Sequence, residues 1–395
     1  MRKNKLLLLL ALLLTAVTGA WAQSATTTYS VNLNDGSDNP TTWTGKFGEA
    51  TTFSALPLEG VAEGQTVTLK YSGTREVKSI TAKVEVIPDG AIKGKFTVNA
   101  DGKQVYFSKG NLQATTTDLG ANWSWGFAAN QWDYVGGADY NVSTTEWSGT
   151  KTGNNFINGN GTMSENGTVD LFNWVGASAP SYYFSTAPAY YGISNIYSPP
   201  SAYGNTINEN LMHDWGECIG AGWRTLTMNE WIWILGPLSS PNPGTNCRLG
   251  STVNSTEKAR FSPATVNTDG TGVKGLILFP DGVTLADIEG VTWGPINNIP
   301  NDGTNCTNCT TAGWAALAAK GCVFLPVTSF RFNQEENSVD IPINLGFYWS
   351  ATGKGENTAY SILFSRSDNS YASTMEYKDR NRTYGCAVRL VYDIE

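Results

Sequence analysis

Six cysteines, one histidine and a scatter of carboxylates carry whatever covalent or metal chemistry this chain has. All six thiols lie beyond residue 217, at Cys218, Cys247, Cys306, Cys309, Cys322 and Cys386. Cys306-Thr-Asn-Cys309 has the spacing of redox and zinc motifs. A redox pair opens a helix in a thioredoxin-like context, which the flanking residues do not offer. A zinc site needs two further ligands nearby, and the one histidine, His213, lies far upstream. The pair therefore reads as a local disulfide staple in a loop, with metal the second reading. The many pairings open to six cysteines are not resolved by spacing. His213 precedes Asp214 in LMHDWGE with no serine or cysteine motif beside it, so it reads as a structural hydrogen-bonding group. Glu217, Glu230, Glu356 and Glu376 could supply a glycosidase-type carboxylate pair. Among 34 acidic residues some such pair always exists, and Glu230 already has a helix-capping role. No catalytic residue, cofactor or metal ligand is assigned.

Composition narrows the class. Charged residues are 15% and aromatics 12%, with 42 glycines, which excludes a disordered chain and suits a loop-rich β protein with ring-filled cores. The N-terminus, MRKNKLLLLLALLLTAVTGAWAQS, has the basic, apolar and small-x-small regions of a signal peptide over residues 1–22. No cysteine sits at the cleavage site, so no lipid anchor is expected there. Removing the leader takes three positive charges and no acid, moving the net charge from −8 to −11. With a pI near 4.9 and no basic run, nucleic acid and anionic membranes are not expected partners. The expected address is secreted or cell-surface, with no transmembrane segment in the mature chain.

The elements that must position a site are mostly strands. Residues 23–88 read as a small all-β, Ig-like sandwich. TVTLKYSG alternates Val67, Leu69 and Tyr71 against polar residues, and EVKSITAKVEV puts Ile80, Ala82, Val84 and Val86 on one face, which predicts a hairpin. LNDGSDNP reads as a turn rather than a calcium loop. After Pro88-Asp89-Gly90 a second, β-rich α+β domain follows. Phe96 and Val98 alternate before Asp101-Gly102, and Val105 and Phe107 after it, predicting a second hairpin. Residues 120–210 read as long loops pinned by Trp and Tyr. Two helices are signalled: one capped by Thr227 and Glu230, burying Trp231, Ile234 and Leu235, and one burying Trp314 and Leu317 and ending at Gly321. CVFLPV reads as a buried strand. In YGCAVRLVYDIE, Cys386, Val388 and Leu390 alternate with Ala387, Arg389 and Val391.

GWRTLTMNEW, GCVFLPV, GFYWSAT and YGCAVRLV occur in that order, separated by polar loops. The first resembles the RLPTEAEWE signature of formylglycine-generating-enzyme-like domains, and the other three resemble the Fibrobacter major paralogous domain of Bacteroidetes surface proteins. The resemblance covers residues 92–395 and implies a C-type-lectin-type fold with long loops and few helices. It does not carry one function, because such folds host enzymes, lectins and binders alike. The enzymatic branch uses a cysteine pair and copper in the C-terminal lobe; here YKDRNRTYGCAVRLV offers only Cys386, in an alternating strand, so no oxidase is expected. The Glu-Pro-Asn and Gln-Pro-Asp tripeptides of calcium lectins do not occur.

The resemblance places a ligand face in the polar stretch between the YWSAT strand and the final strand. The expected ligand-binding residues are Tyr360, Arg366, Asp368, Asn369, Tyr371, Glu376, Tyr377, Asp379, Arg380, Asn381 and Arg382. Tyrosines offer rigid amphipathic area, Ser, Asn and Asp offer adaptable hydrogen bonds, and Arg offers forked donors. The same residues also make ordinary turns and protect edge strands. The Trp-rich segment 122–137 is the rival site, read mainly as core. The resulting expectation is a non-catalytic ligand-binding or adhesion protein for a surface glycan or protein. A structural component of a surface or fimbrial assembly, and a glycan-active hydrolase or degenerate formylglycine-generating-type enzyme, are the alternatives. Within GFYWSAT, Phe347 and Trp349 are expected to enter the core together and Tyr348 to point to the other side.

Overall fold

The computed structural model describes residues 87–394 except 142, 158–162, 175–213, 237–246, 251–256, 269–270, 286, 299–304, 332–338, 341–344, 355–357, 366–374 and 382–383; before residue 87 it describes strand backbone alone. The leader at 1–22, the turn at Asp35-Gly36 and His213 lie outside the described residues. The chain divides into two compact units, Met1–Asp89 and Gly90–Glu395.

In the first unit, β1 (Thr27–Asn34), β2 (Thr41–Trp43), β5 (Thr66–Leu69) and β6 (Ser79–Val86) form an antiparallel sheet in the order β2-β1-β6-β5. Val67 faces Ala82 and Leu69 faces Ile80, the register that keeps the apolar positions of the hairpin together. A short ladder, β3 (Lys46–Phe47) with β4 (Thr51–Thr52), stands apart from that sheet.

The second unit is β-rich α+β, with two α-helices among the described residues. Its first sheet has the order β14-β25-β8-β7, from β7 (Ala91–Thr97), β8 (Gln104–Ser108), β14 (Trp223–Thr225) and β25 (Leu390–Asp393). The β7–β8 hairpin forms as its alternation predicts: Phe96, Val98, Val105 and Phe107 are buried, and Gly102 takes the positive φ of 83° the turn requires. Strand β25 pairs with β8, so the two ends of the unit close on one another.

Helix α1 (Met228–Leu235) carries the reciprocal capping box: Glu230 N–H donates to Thr227 Oγ1 at 3.3 Å and Thr227 N–H to Glu230 Oε2 at 2.8 Å. Trp231, Ile234 and Leu235 are buried as the helical period demands. Helix α2 (Thr311–Ala319) is capped by Thr310, buries Trp314 and Leu317, and is followed by Gly321 at φ 85°.

The second sheet, β17-β18-β15-β16-β19, contains β15 (Phe261–Thr268), β16 (Thr271–Leu278), β17 (Val291–Thr292), β18 (Thr307–Cys309) and β19 (Val323–Pro326). The third, β22-β23-β24, contains β22 (Leu345–Gly353), β23 (Thr358–Ser365) and β24 (Met375–Asn381). Smaller ladders join β9 (Leu112–Thr116) to β10 (Ser124–Phe127) and β13 (Gly167–Val169), β11 (Asp139–Asn141) to β12 (Glu146–Ser148), and β20 (Phe330–Arg331) to β21 (Val339–Asp340).

The packing is layered. Leu276, Leu278, Val323 and Leu325 of the second sheet, α1, and Tyr348, Ile362 and Phe364 of the third sheet share one core. Ile277 and Phe324 turn to a second core against α2. Phe347, Trp349, Ala359 and Leu363 turn to a third, with Trp215, Phe172 and Cys386. Both large sheets are therefore covered on both faces.

Two expectations are corrected. The final strand is shorter than the alternation suggests: Cys386 makes a bridge to Phe172 and Ala387 a parallel bridge to Tyr348, and only from Leu390 does a regular ladder run. The chain there passes between layers, which alternation alone does not reveal. The disulfide expectation also fails, since all six cysteines are free. Cys309 closes strand β18 and Cys306 stands just before it. Positions three apart in extended backbone are roughly 10 Å apart and face opposite ways, too far for an S–S bond. Cys306 Sγ instead meets Thr265 Oγ1 at 3.7 Å, while Cys309 is fully buried beside Trp314.

Candidate ligand-binding face

The third sheet decides what the polar stretch can do. Its register pairs Phe347 with Leu363 and Trp349 with Ser361, then Ser361 with Lys378 and Ala359 with Arg380. On the other face Tyr348 pairs with Ile362, Ile362 with Tyr377, and Tyr360 with Asp379. Side chains at alternate positions leave opposite faces. Lys378 and Arg380 therefore belong to the Phe347–Trp349 side, and Tyr360, Tyr377 and Asp379 to the Tyr348 side. The expected residues whose side chains are described therefore do not leave the sheet on one face.

The aromatic run is core on both sides. Phe347, Tyr348 and Trp349 are 1%, 0% and 0% exposed. Trp349 Nε1 donates to the Phe172 carbonyl at 2.6 Å. Tyr348 OH donates to the Pro326 carbonyl at 2.8 Å and accepts from Asn111 Nδ2 at 3.1 Å. Asn111 in turn accepts from the buried Arg389, whose other terminal nitrogen reaches Gln131 Oε1 at 3.0 Å. Neither polar ring atom is left for a ligand. Strand β22 continues through Ser350-Ala351-Thr352 to Gly353: Ser350 Oγ donates to the Tyr360 carbonyl, and Thr352 Oγ1 accepts from Met228 N–H.

The expected binding residues divide into three groups. Arg366, Asp368, Asn369, Tyr371 and Arg382 lie outside the described residues, and Glu376 is described as backbone only. Tyr377 and Arg380 face inward. The Tyr377 ring packs on the first core, and its OH donates to the Gly236 carbonyl, at the C-terminus of α1, at 2.5 Å. Burial pushes its phenol well above the ordinary value. Arg380 lies over the Phe347 ring, 4.7 Å from its centroid. The third group comes together at one end of the sheet. Asp379 pairs with Lys354 at 3.1 Å, both side chains about 40% exposed (42% and 43%). Lys354 Nζ lies 5.5 Å from the Tyr360 ring centroid, and Asn381 is exposed on the adjoining strand end. The hydrogen bond from Lys354 is the main reason the Asp379 carboxyl sits below the usual range. Lys354 is the residue that the expected set lacks; its position directly after β22 is the signal for it.

Of the carboxylates weighed for catalysis, Glu230 is placed as a structural group. Glu230 is held by the capping box and by a two-pronged Arg224 contact, with both N–O distances 2.7 Å. Asp214 is partly buried and accepts from Gly216 N–H, Thr225 N–H and Thr225 Oγ1. Asp170 is buried and accepts from Val135 N–H and Asn154 Nδ2. Desolvation raises both Asp170 and Asp214 to about 6. Glu356 lies outside the described residues. In the Trp-rich rival segment, Trp123 and Trp125 pack on the third core and Trp132 on the second, while Tyr134 is 46% exposed. Comparison with family models, with curated proteins and with solved structures gives no match for this chain.

Proposed function

We propose that the chain is an exported, non-catalytic ligand-binding or adhesion protein whose second unit is a C-type-lectin-type domain of the formylglycine-generating-enzyme-like, major paralogous kind. The observation that carries the reading is the Lys354–Tyr360–Asp379–Asn381 rim at the end of the third sheet. There an exposed ion pair, a partly buried ring that packs on the first core and an exposed amide stand together on strands whose bodies are locked in core. Rigid strands presenting an aromatic plane beside hydrogen-bonding groups suit a sugar or a polar peptide surface. The four motifs behind the family resemblance also occupy the described core, which is what a shared scaffold with variable rims requires. Residues 382–383 adjoin the rim in sequence, directly after Asn381. The export part rests on the leader-like first 22 residues.

The charge pattern of β24, with Lys378, Asp379 and Arg380 in succession at a sheet edge, disfavours strand addition and so weighs against the assembly alternative. A glycan and protein array probed with wild type and with a Tyr360→Ala/Asp379→Ala double variant tests the proposal. Retained melting temperature with at least a roughly tenfold loss of binding is expected, the size of a hot-spot contact. Equal binding by both proteins to every target removes the rim from consideration.

A further inference from the structure

At the rim, two groups are held by the strands and a third is held only by its own stem. Tyr360 and Asp379 face each other across the β23–β24 ladder, and the Tyr360 ring packs against the first core. Lys354 stands where the chain turns back from β22 to β23, and its N–H donates to the Thr358 carbonyl at 3.0 Å. From there its side chain reaches over the end of the sheet on a flexible four-carbon stem. The ammonium meets both fixed groups: Asp379 Oδ2 at 3.1 Å, and the Tyr360 ring at 5.5 Å from its centroid. An aromatic ring and a carboxylate converging on one ammonium are the two attractions by which a protein surface holds an organic cation. The fixed pair has the form of a receptor, and Lys354 has the form of its occupant.

The occupant can leave. Both charged side chains are more than 40% exposed (43% and 42%), and exposed ion pairs hold together only weakly. Lys378 and Arg380, the neighbouring cations of β24, leave the sheet on the opposite face. When Lys354 swings out, the rim therefore presents a ring beside a carboxylate that has no other ion-pair partner among the described residues. An anionic ligand would be repelled by Asp379, and a neutral one would forgo its charge. A cation gains from both groups. The chain carries 34 acidic against 26 basic residues, which favours cationic partners on approach. We infer that the rim, on the reading that it is the binding face, takes a lysine or arginine side chain of a protein partner, and that Lys354 holds that place in the free protein as a built-in competitor.

Ligand-observed NMR titration of the full chain at fixed ionic strength tests this, with a blocked Gly-Lys-Gly tripeptide and its arginine, norleucine and glutamate counterparts as probes. Lys354→Met removes the competitor's charge. It is expected to bind the lysine or arginine peptide roughly two- to fivefold tighter than wild type, since an exposed pair fills the site only part of the time. Asp379→Asn, alone or combined with Lys354→Met, is expected to abolish that binding. Lys103→Met deletes the same charge from another exposed pair, with Asp393 at 2.9 Å, and is expected to match wild type. The norleucine and glutamate peptides are expected not to bind. Unchanged, weaker or absent binding of both cationic peptides in Lys354→Met overturns the inference. So does an equal gain in Lys103→Met, which would be a general effect of net charge, or a preference for the glutamate peptide. The array separates this from the rim itself: binding there that depends on Tyr360 and Asp379, without a gain in Lys354→Met, removes the cation and keeps the rim. Equal array binding by wild type and the double variant removes both.

Discussion

Trp349→Ala is expected to cost about 3–5 kcal/mol, the range for truncating a large buried aromatic ring. Trp349 is 0% exposed, packs among Trp215, Phe172 and Cys386, and donates its indole N–H to the Phe172 carbonyl. The substitution leaves a void between layers that are both fixed by ladders, so the site cannot collapse easily. It also removes one of the two hydrogen bonds that the Phe172 carbonyl accepts, leaving the one from Cys386 N–H. A whole domain is stable by only about 5–15 kcal/mol, so a large part of the margin goes. Thermal melts read this as a fall of roughly 5–8 °C, while Tyr134→Ala, at an exposed ring, stays within about 0.5 kcal/mol of wild type. Equal melting of the two variants would show that the aromatic run is not core.

Gly346→Ala carries the second large effect, for the opposite reason. Gly346 stands directly across the ladder from Phe364, whose ring lies over it and stacks on Tyr348 with centroids 5.9 Å apart. A Cβ at Gly346 would fall 2.3, 2.5 and 2.8 Å from three atoms of that ring. The ring is 1% exposed and has no free side to turn to. Overpacking of this kind costs about 3 kcal/mol, at the upper end of its usual range. The cause is testable by coupling: in chemical denaturation, Gly346→Ala with Phe364→Leu is expected to cost less than the two single changes added together. Strict additivity would mean that the clash is relieved elsewhere.

Local signals made much of the fold legible. Thr227 and Glu230 announce α1 because a capping box is a contact within four residues, and Asp101-Gly102 announces the β7–β8 turn because positive φ needs glycine. Period two also places Phe347 and Trp349 against Tyr348 correctly. The same period separates Arg380 from Asp379 and Tyr377, yet the stretch reads as one binding surface when composition is weighed ahead of alternation. Tyr377 illustrates the gap. Nothing near it in sequence tells that its hydroxyl closes the end of α1, 141 positions away.

Longer-range features were not legible at all. Arg331 and Gly385 meet through a bridge between segments far apart in sequence, and Arg389 meets Asn111 and Gln131 from the far end of the unit. Such contacts are set by layer packing, not by neighbours in the chain. The cysteines show the reverse error: an even count and a short spacing suggest a cross-link, but strand geometry holds Cys306 and Cys309 apart.

The central claim is that GFYWSAT is scaffold and that binding happens at the rim one strand later. Hydroxyl-radical footprinting of the native protein, alone and with the strongest binder from the array, tests it most directly. Phe347, Tyr348 and Trp349 are expected to label at background in both states. Labelling of Tyr360 is expected to fall when the ligand is present, while exposed Tyr134 labels equally in both. Native labelling of Tyr348 or Trp349 at the level of Tyr134, suppressed by the ligand, would contradict the claim and make the aromatic run the binding floor.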